Sequence, residues 1–420
     1  MNHDPVRLDV AEIGRTLDDL AAIGNRYVGT PGEAAARDYL FERFRVLGLD
    51  DVRLEPFPYL AYERGSASAS CEVAGSGLEF DSHPLQYTAV GETAGEAIYL
   101  GDATDADFER IDARGIDLAG KIAVVHSMFP FDLVTILEER GIAGLVHICE
   151  TPEGIVGNFT GALYPPPLEP PWEGRPTAYC GVTISHPAGR VLVSELSCGK
   201  PVELRLSHRG SYREGTAHNV VGAIPGREPG QVVLSAHYDS QAEGPCVYDN
   251  GSGLASLLEC GRVLGEGVVD RTIVLLASAA EEIGVWGASA YVHAHAREME
   301  DVVGMVNLDG IASAYPSERQ IWCADSALLE LAVETGRRHG WAPGRAMNVR
   351  STFSDHAPFT DAGVPACLIW RPDYPYYHSR GDVRELVDEH AIAETASVSA
   401  SLAHRLASEP APLPQRVGAP

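Results

Sequence analysis

The stretch VVLSAHYDSQAEGPCVYDNGSG, residues 232–253, decides how this chain is read. Its first half is an apolar, β-branched run of the kind that forms a buried strand. Directly past that run stand His237, Asp239 and Asp249. An ionised carboxylate beside a core is costly unless something positive compensates it, so the stretch predicts either a bound cation or a solvated turn.

Outward from it, the chain after residue 215 alternates apolar β-rich runs with helical periodicity. QVVLSAH, RTIVLLAS, VVGMVNL and ACLIW read as strands; GLASLLECGRVLGEG, GASAYVHAHAREME and SALLELAVETGRRHG read as helices. This alternation predicts an α/β fold with a mixed, mainly parallel sheet flanked by helices. In such sheets ligands gather at the carboxyl ends of the strands. Those ends carry His237 and Asp239, then Glu281 and Glu282, then Asp309, and after ACLIW the segment with Tyr377, His378 and Asp382. A lone acid or imidazole there is more often structural than functional. The coincidence of several, including two adjacent glutamates, points to a shared cation or proton. Carboxylates mixed with imidazoles suit zinc, manganese or cobalt better than calcium or an iron–sulfur cluster.

Upstream, residues 8–47 carry helical periodicity interrupted by GNRYVGTPG, which predicts two helices joined by a structured loop, the second ending near Gly48. From about residue 63 the texture changes to short alternating runs such as ASASCEV, GEAIYLG, GKIAVVHS and GLVHICE, with a Pro-rich segment YPPPLEPPWEGRP. These predict a small, mostly-β unit with a few helices, DLVTILEERG among them. The resulting partition is a discontinuous domain of residues 1–62 and 214–408, an insert of residues 63–213, and a tail of residues 409–420.

At 420 residues the chain exceeds what one core usually organises. Its formal charge of −27, spread along the sequence, argues against nucleic-acid and membrane partners. MNHDPVRLDVAEIG lacks the basic start and apolar run of a signal peptide, and no run approaches the length of a membrane span, so a cytoplasmic location is the expectation. The eight scattered cysteines form no CxxC pair and read as reduced thiols.

The ordered set of motifs closely resembles the M28 family of co-catalytic zinc exopeptidases. The resemblance runs from RYVGTPGEAAARDYL through HYDS, DNGSG, AEEIGVWGA, VNLDGIA and SDHAPF to YYHSRGD, nearly the whole chain. Residues 63–213 resemble the protease-associated (PA) domain inserted in members of that family, through GKIAVVHS, GIAGLVHI and VTISHPAGRVLVSEL. The resemblance implies a zinc exopeptidase fold with two divalent metal ions, zinc by preference, bridged by Asp249. His237 and Asp309 would complete one metal position, and Glu282 and His378 the other. It further implies Glu281 as general base, Tyr377 as the phenol near the developing oxyanion, and Asp239 as the carboxylate that orients the His237 imidazole.

Tyr248 and Cys246, just before the bridging position, stand where the family has smaller residues and are expected to narrow the pocket. Substrate contacts are expected from Tyr248, Trp286, Arg350 and His356. His293 and His295, two apart on a helix, cannot form one ligand pair. The function implied is removal of N-terminal residues from peptides. The alternatives are a carboxypeptidase, for which Arg350, Arg371 and Arg380 offer cations, a deacylase of small amides, or an inactive binding scaffold. A peptide or small amide is the expected partner, with a homo-oligomer as a further expectation.

Overall fold

The first two helices are set by their caps. In this computed structural model, which describes residues 8–73, 76–126, 131–160, 175–199, 201–351 and 353–408, α1 (Val10–Ile23) begins at Asp9, whose side chain accepts from the Glu12 amide. α2 (Pro31–Val46) begins at Thr30, which caps the Glu33 amide, with Pro31 in the first turn. The loop between them is residues 24–30, so the last two residues of the predicted interruption, Pro31 and Gly32, already open α2. The Pro-rich segment lies mostly, and the tail wholly, outside the described residues.

The chain then enters β1 (Asp50–Val73), β2 (Ser76–Phe80), β3 (Ser82–Pro84), β4 (Gly91–Gly101), α3 (Asp105–Ala113), β5 (Ile122–Val125), α4 (Phe131–Glu139), β6 (Gly144–Ile148), β7 (Cys180–Ile184), α5 (His186–Ser197) and β8 (Glu203–Ile224). β1 and β8 form one antiparallel ribbon, from Asp50 opposite Ala223 to Cys71 opposite Leu204. The partition read from sequence falls across this ribbon, where Tyr62 pairs with Tyr212, just short of a register shift between Arg64 and Ala67. Pro56 and Pro58 sit inside β1. Two positions apart, they turn the same way, and there β1 pairs only with β8, so their missing N–H groups fall on an open edge.

Residues between the arms of the ribbon build a second core. β4, β5, β6 and β7 are parallel neighbours, with β3 antiparallel to β7 and β4 antiparallel to β8. Val124, Val146 and Val182 face Leu192 of α5, while Ala123, Val125 and Leu145 face Phe108 of α3 and Leu137 of α4. Three described helices, α3, α4 and α5, accompany these strands. α3 and α5 are short, and α3 is held by a capping box between Thr104 and Asp107 rather than by a strong periodic pattern.

An aromatic cluster pins the ribbon to the insert. His208 is fully buried; Tyr62 Oη lies 2.7 Å from its Nε2 and Thr88 Oγ1 3.0 Å from its Nδ1. Tyr87 and Tyr212 stack around Tyr62, and the Tyr212 hydroxyl donates to the Thr88 carbonyl at 2.7 Å.

The remaining elements alternate: β9 (Gln231–His237), α6 (Ser252–Gly265), β10 (Thr272–Ser278), α7 (Trp286–Ala294), β11 (Val302–Leu308), β12 (Gln320–Cys323), α8 (Ser326–Arg338), β13 (Arg345–Asn348), α9 (His356–Asp361), β14 (Ala366–Trp370) and α10 (Glu389–Ser408). The strand order is β13-β12-β14-β11-β9-β10-β8. β14, β11, β9 and β10 run parallel, β12 and β13 are parallel to each other, and β12 and β8 are antiparallel to their inner neighbours. The sheet is buried on both faces. Val232, Leu234 and Ala236 of β9 join Leu17 and Leu20 of α1, Leu254 of α6 and Leu402 of α10; Val233 joins Ala288 of α7 and Phe359 of α9. Each such buried aliphatic side chain contributes about 1.5–3 kcal/mol. No described helix is long and apolar enough to cross a membrane.

Candidate metal centre

The four parallel strands β9, β10, β11 and β14 all end on one edge of the sheet, and the chemistry-bearing residues follow there. β9 ends on His237; Glu281 and Glu282 come three and four residues after β10; Asp309 is the first residue past β11; His378 lies in the loop after β14. α6 completes the edge because Gly253 lets it approach the sheet: a Cβ at that position would lie 2.4 Å from the Leu308 carbonyl oxygen. Asp249 stands in the turn that leads into α6.

His237 and His378 stand on either side of Asp249. His237 Nε2 lies 3.2 Å from Asp249 Oδ1, 3.3 Å from Asp309 Oδ1 and 3.8 Å from Glu281 Oε2. His378 Nε2 lies 3.3 Å from Asp249 Oδ2 and 3.1 Å from Glu282 Oε2. One carboxylate thus offers a different oxygen to each imidazole. Despite these short separations, Asp249 Oδ1, Glu282 Oε1 and both ring nitrogens of His378 are buried without a hydrogen-bond partner. Lone pairs that converge without a donor are what a cation satisfies, so the residues fit a metal centre. His237 forms close ligand groups both with Glu281 and Asp309 and with Asp249 and Glu282.

The electrostatics agree. Burial works to discharge His237, yet the carboxylates of Glu281 and Asp309 outweigh it and hold its pKa well above the ordinary value. For His378 burial is likewise overcome by Glu282 and Asp249, which drive its pKa up to about 10. Burial raises Glu281 far above the usual carboxylate range, and Asp309 and Asp355 add to the effect against the opposing pull of His237. Burial also raises Glu282. The pocket is overloaded with negative charge and draws positive charge from whatever can supply it.

The bridging carboxylate is held by its backbone. Asp382 accepts from the amides of Tyr248 at 2.8 Å and Asp249 at 3.0 Å. Arg26, wholly buried, donates to the carbonyls of Tyr238 at 2.9 Å, Pro245 at 2.6 Å and Cys246 at 2.9 Å, fixing both ends of the loop that delivers Asp249. Asn250 donates to the Leu308 carbonyl at 2.9 Å and accepts from Gly253 and Gly310. Cys246 turns its thiol to the Glu243 carbonyl at 3.3 Å and stands outside the ligand groups.

Asp239 differs in detail from its expected part. Its main-chain oxygen lies 3.2 Å from His237 Nδ1, closer than its carboxylate at 3.6 Å. The carboxylate instead accepts from the amides of Glu281 at 3.0 Å and Glu282 at 3.3 Å, so the backbone of one strand end is anchored on another. Tyr377 stacks on His378 with ring centroids 3.7 Å apart. Burial holds its phenol well above the ordinary pKa, so it remains a donor.

Of the four expected substrate contacts, Tyr248 lines a cavity among the described residues. A space of about 400 Å³ beside the centre is lined by residues including Ile148, Phe159, Tyr248, Trp370, Tyr374 and Tyr377. Trp286 is a core residue, 2% exposed, whose indole donates to the Ile283 carbonyl at 3.1 Å. An apolar side chain opening α7 packs inward, and nothing in its spacing from the glutamates distinguishes that from a pocket wall. Arg350 is at the surface, bound to Asp361 with Nη2–Oδ1 at 2.5 Å. His356 is buried, not at the rim, and burial drives its pKa down to about 3.

Several participants escaped sequence reading. Ser354 donates to Asp309 Oδ2 at 2.6 Å, and Gln241 donates to Glu282 Oε2 at 2.9 Å. Asp355 is bonded to Ser278, and burial pushes its pKa up to about 7. Arg26 carries a signal that could have been used, a lone cation in a Gly-rich loop; Gln241 carries none.

Comparison with known proteins adds four findings. Residues 219–403 match Peptidase family M28. The chain is 27% identical over 406 residues to aminopeptidase YwaD of Bacillus subtilis, covering 91% of this chain and 82% of that protein. It is 23% identical over 416 residues to carboxypeptidase Q of Bos taurus, covering 94% and 84%. A solved structure of a zinc aminopeptidase from Bacillus subtilis shares the fold, with a TM-score of 0.72 at 20% identity over 99% of this chain and 100% of that one.

Proposed function

From a chain whose residues 219–403 are those of peptidase family M28, we propose that the protein is an aminopeptidase with two zinc ions bridged by Asp249. The observation that carries this reading is the pair of imidazoles on opposite oxygens of one buried carboxylate, each with a further carboxylate beside it. His237, Asp249 and Asp309 would hold one ion, and Glu282, His378 and Asp249 the other. Bound there, such ions supply Lewis acidity and an activated water.

The chain's own residues supply the rest. Glu281 is a carboxyl that retains a proton more readily than an exposed one, which suits a group that takes a proton from water and returns it to the leaving amine. Tyr377, held protonated, donates toward the oxygen on which negative charge develops. The amide anchoring by Asp239 fixes where the Glu281 carboxyl begins its reach.

The direction of attack follows from charge. The α-amine of a peptide needs anionic company, and Glu281 and Asp309 are at hand. The charged residues lining the adjacent cavity are Glu150 and Asp373, both acidic. A carboxypeptidase needs a cation for the terminal carboxylate. Arg350 is engaged at the surface by Asp361, which leaves Arg371, whose Nη2 donates to the Ser317 carbonyl at 3.5 Å while its Nε has no partner among the described residues, and the exposed Arg380 as the cations of that second reading. The relative named carboxypeptidase Q keeps the opposite polarity as the second reading. Residues 63–213 are assigned as a PA-like insert that restricts access to this cavity.

One peptide offered free, N-acetylated and C-amidated decides between these readings. Acetylation should abolish cleavage and amidation should spare it. Robust hydrolysis of the N-acetylated form overturns the aminopeptidase reading.

A further inference from the structure

The insert does more than cover the cavity. Gln86 and Phe159 belong to it and lie side by side: Gln86 and Thr160 form a parallel bridge, and the Gln86 amide donates to the Phe159 carbonyl at 3.0 Å. From this one spot two arms reach the metal centre. The Gln86 side chain donates to Gln241 Oε1 at 2.9 Å, and Gln241 in turn donates to Glu282 Oε2 at 2.9 Å. All of Gln86, Gln241 and Glu282 are buried.

The second arm holds His378. Its carbonyl accepts from the Asn158 amide at 2.7 Å and from the Asn158 side chain at 3.5 Å. Phe159 packs on the imidazole with centroids 5.4 Å apart, and His147 stands edge-on behind Phe159 at 4.5 Å. Such bracing is needed, because His378 has φ +55°, a left-handed conformation that strains a non-glycine residue.

The other ligands are held differently. Among the described residues, the side chains of His237 and Asp309 hydrogen-bond to Asp239, Ser354 and each other, all outside residues 63–213. The insert therefore grips one pair of ligands and leaves the other alone.

We infer that the insert is a structural half of one metal position: through Gln86, Asn158 and Phe159 it positions Glu282 and His378, so that loosening it weakens metal binding there and not at the His237–Asp309 position. This rests on the dinuclear reading above. Groups that orient metal ligands typically alter affinity by about 10- to 100-fold when removed. These are positioning residues; none touches the reacting atoms.

The test uses the full chain with zinc alone. A competing chelator titration gives the two dissociation constants, and anomalous scattering from crystals equilibrated at limiting zinc shows which position empties. Gln86→Met removes the first arm at nearly constant volume, and Phe159→Leu weakens the second, so one serves if the other does not fold. Each should weaken the Glu282–His378 position about 10- to 100-fold while the other stays within about twofold. Ser354→Ala, which removes a hydroxyl that donates to Asp309 and accepts from Asn307, should show the reverse. Two zinc ions in the wild type with both variants unchanged, or with both positions weakened alike, overturns the inference alone. A wild type that binds fewer than two zinc ions overturns the dinuclear reading and the inference with it.

Discussion

Lowering the pH from 8 to 5 should cost the folded protein about 2 kcal/mol through His208 alone. Burial drives this imidazole from the ordinary 6.5 down to about 4. Between those values the unfolded chain binds a proton that the folded chain refuses. The contribution is therefore whole above the unfolded value and is lost as pH falls toward the folded one. At about 1.4 kcal/mol per unit the full shift is worth about 3 kcal/mol, of which about 2 kcal/mol is gone at pH 5. His208→Gln stays neutral throughout and can still meet the Tyr62 and Thr88 hydroxyls. Urea unfolding of both proteins, followed by tryptophan fluorescence at matched ionic strength, gives their stability difference at each pH. His356 and the acidic centre titrate in both proteins and cancel from that difference. Whatever the gap at pH 8, it should fall in the variant's favour by about 2 kcal/mol at pH 5. A gap that stays constant refutes the reasoning, because it would mean that His208 takes its proton as readily as in water.

Two further outcomes concern the centre. Glu281→Gln should lower kcat by about 10²- to 10⁴-fold while elemental analysis still finds the wild-type zinc content, whereas Asp249→Ala should lose zinc; zinc lost from the first and retained by the second would exchange their roles. Arg350→Ala should leave kcat/KM for peptides unchanged and cost at most about 1 kcal/mol of stability, and a large rise in KM would return that residue to the substrate site.

The metal centre was legible because its signal is local. Of the proposed ligands, His237, Glu282 and Asp309 lie at or within four residues of a strand end, and short apolar strands announce their ends in a few letters; the bridging part of Asp249 rests on the family resemblance. His237 after VVLSA and Asp309 after VVGMVNL need no knowledge of the fold beyond the carboxyl-edge rule. Trp286 was ambiguous for the opposite reason. An indole near a site satisfies a wall or a core equally well, and only the neighbours decide. The β1–β8 ribbon was not read from the sequence: only pieces of it from residue 63 onward carry a strand texture, and that Pro56 and Pro58 face an open edge is a tertiary fact. Gln86 and Asn158 were invisible as supports, since Asn158 meets His378 across 220 positions of sequence. Their residue types do not mark such a contact.

The same ribbon sets an order of events during synthesis. Tyr62 leaves the ribosome 150 positions ahead of Tyr212, its cross-strand partner. At the pace of translation, about 5–20 residues per second, β1 waits about 8–30 s with one edge unpaired. The residues that emerge meanwhile are those of the insert, whose two core clusters draw chiefly on strands and helices already made by the time β7 and α5 appear. A nascent chain thus meets its own edge strand with a largely formed neighbour before the main sheet exists. Synonymous changes that slow translation between residues 63 and 213 would prolong that exposure, whereas the same slowing after residue 224 would not.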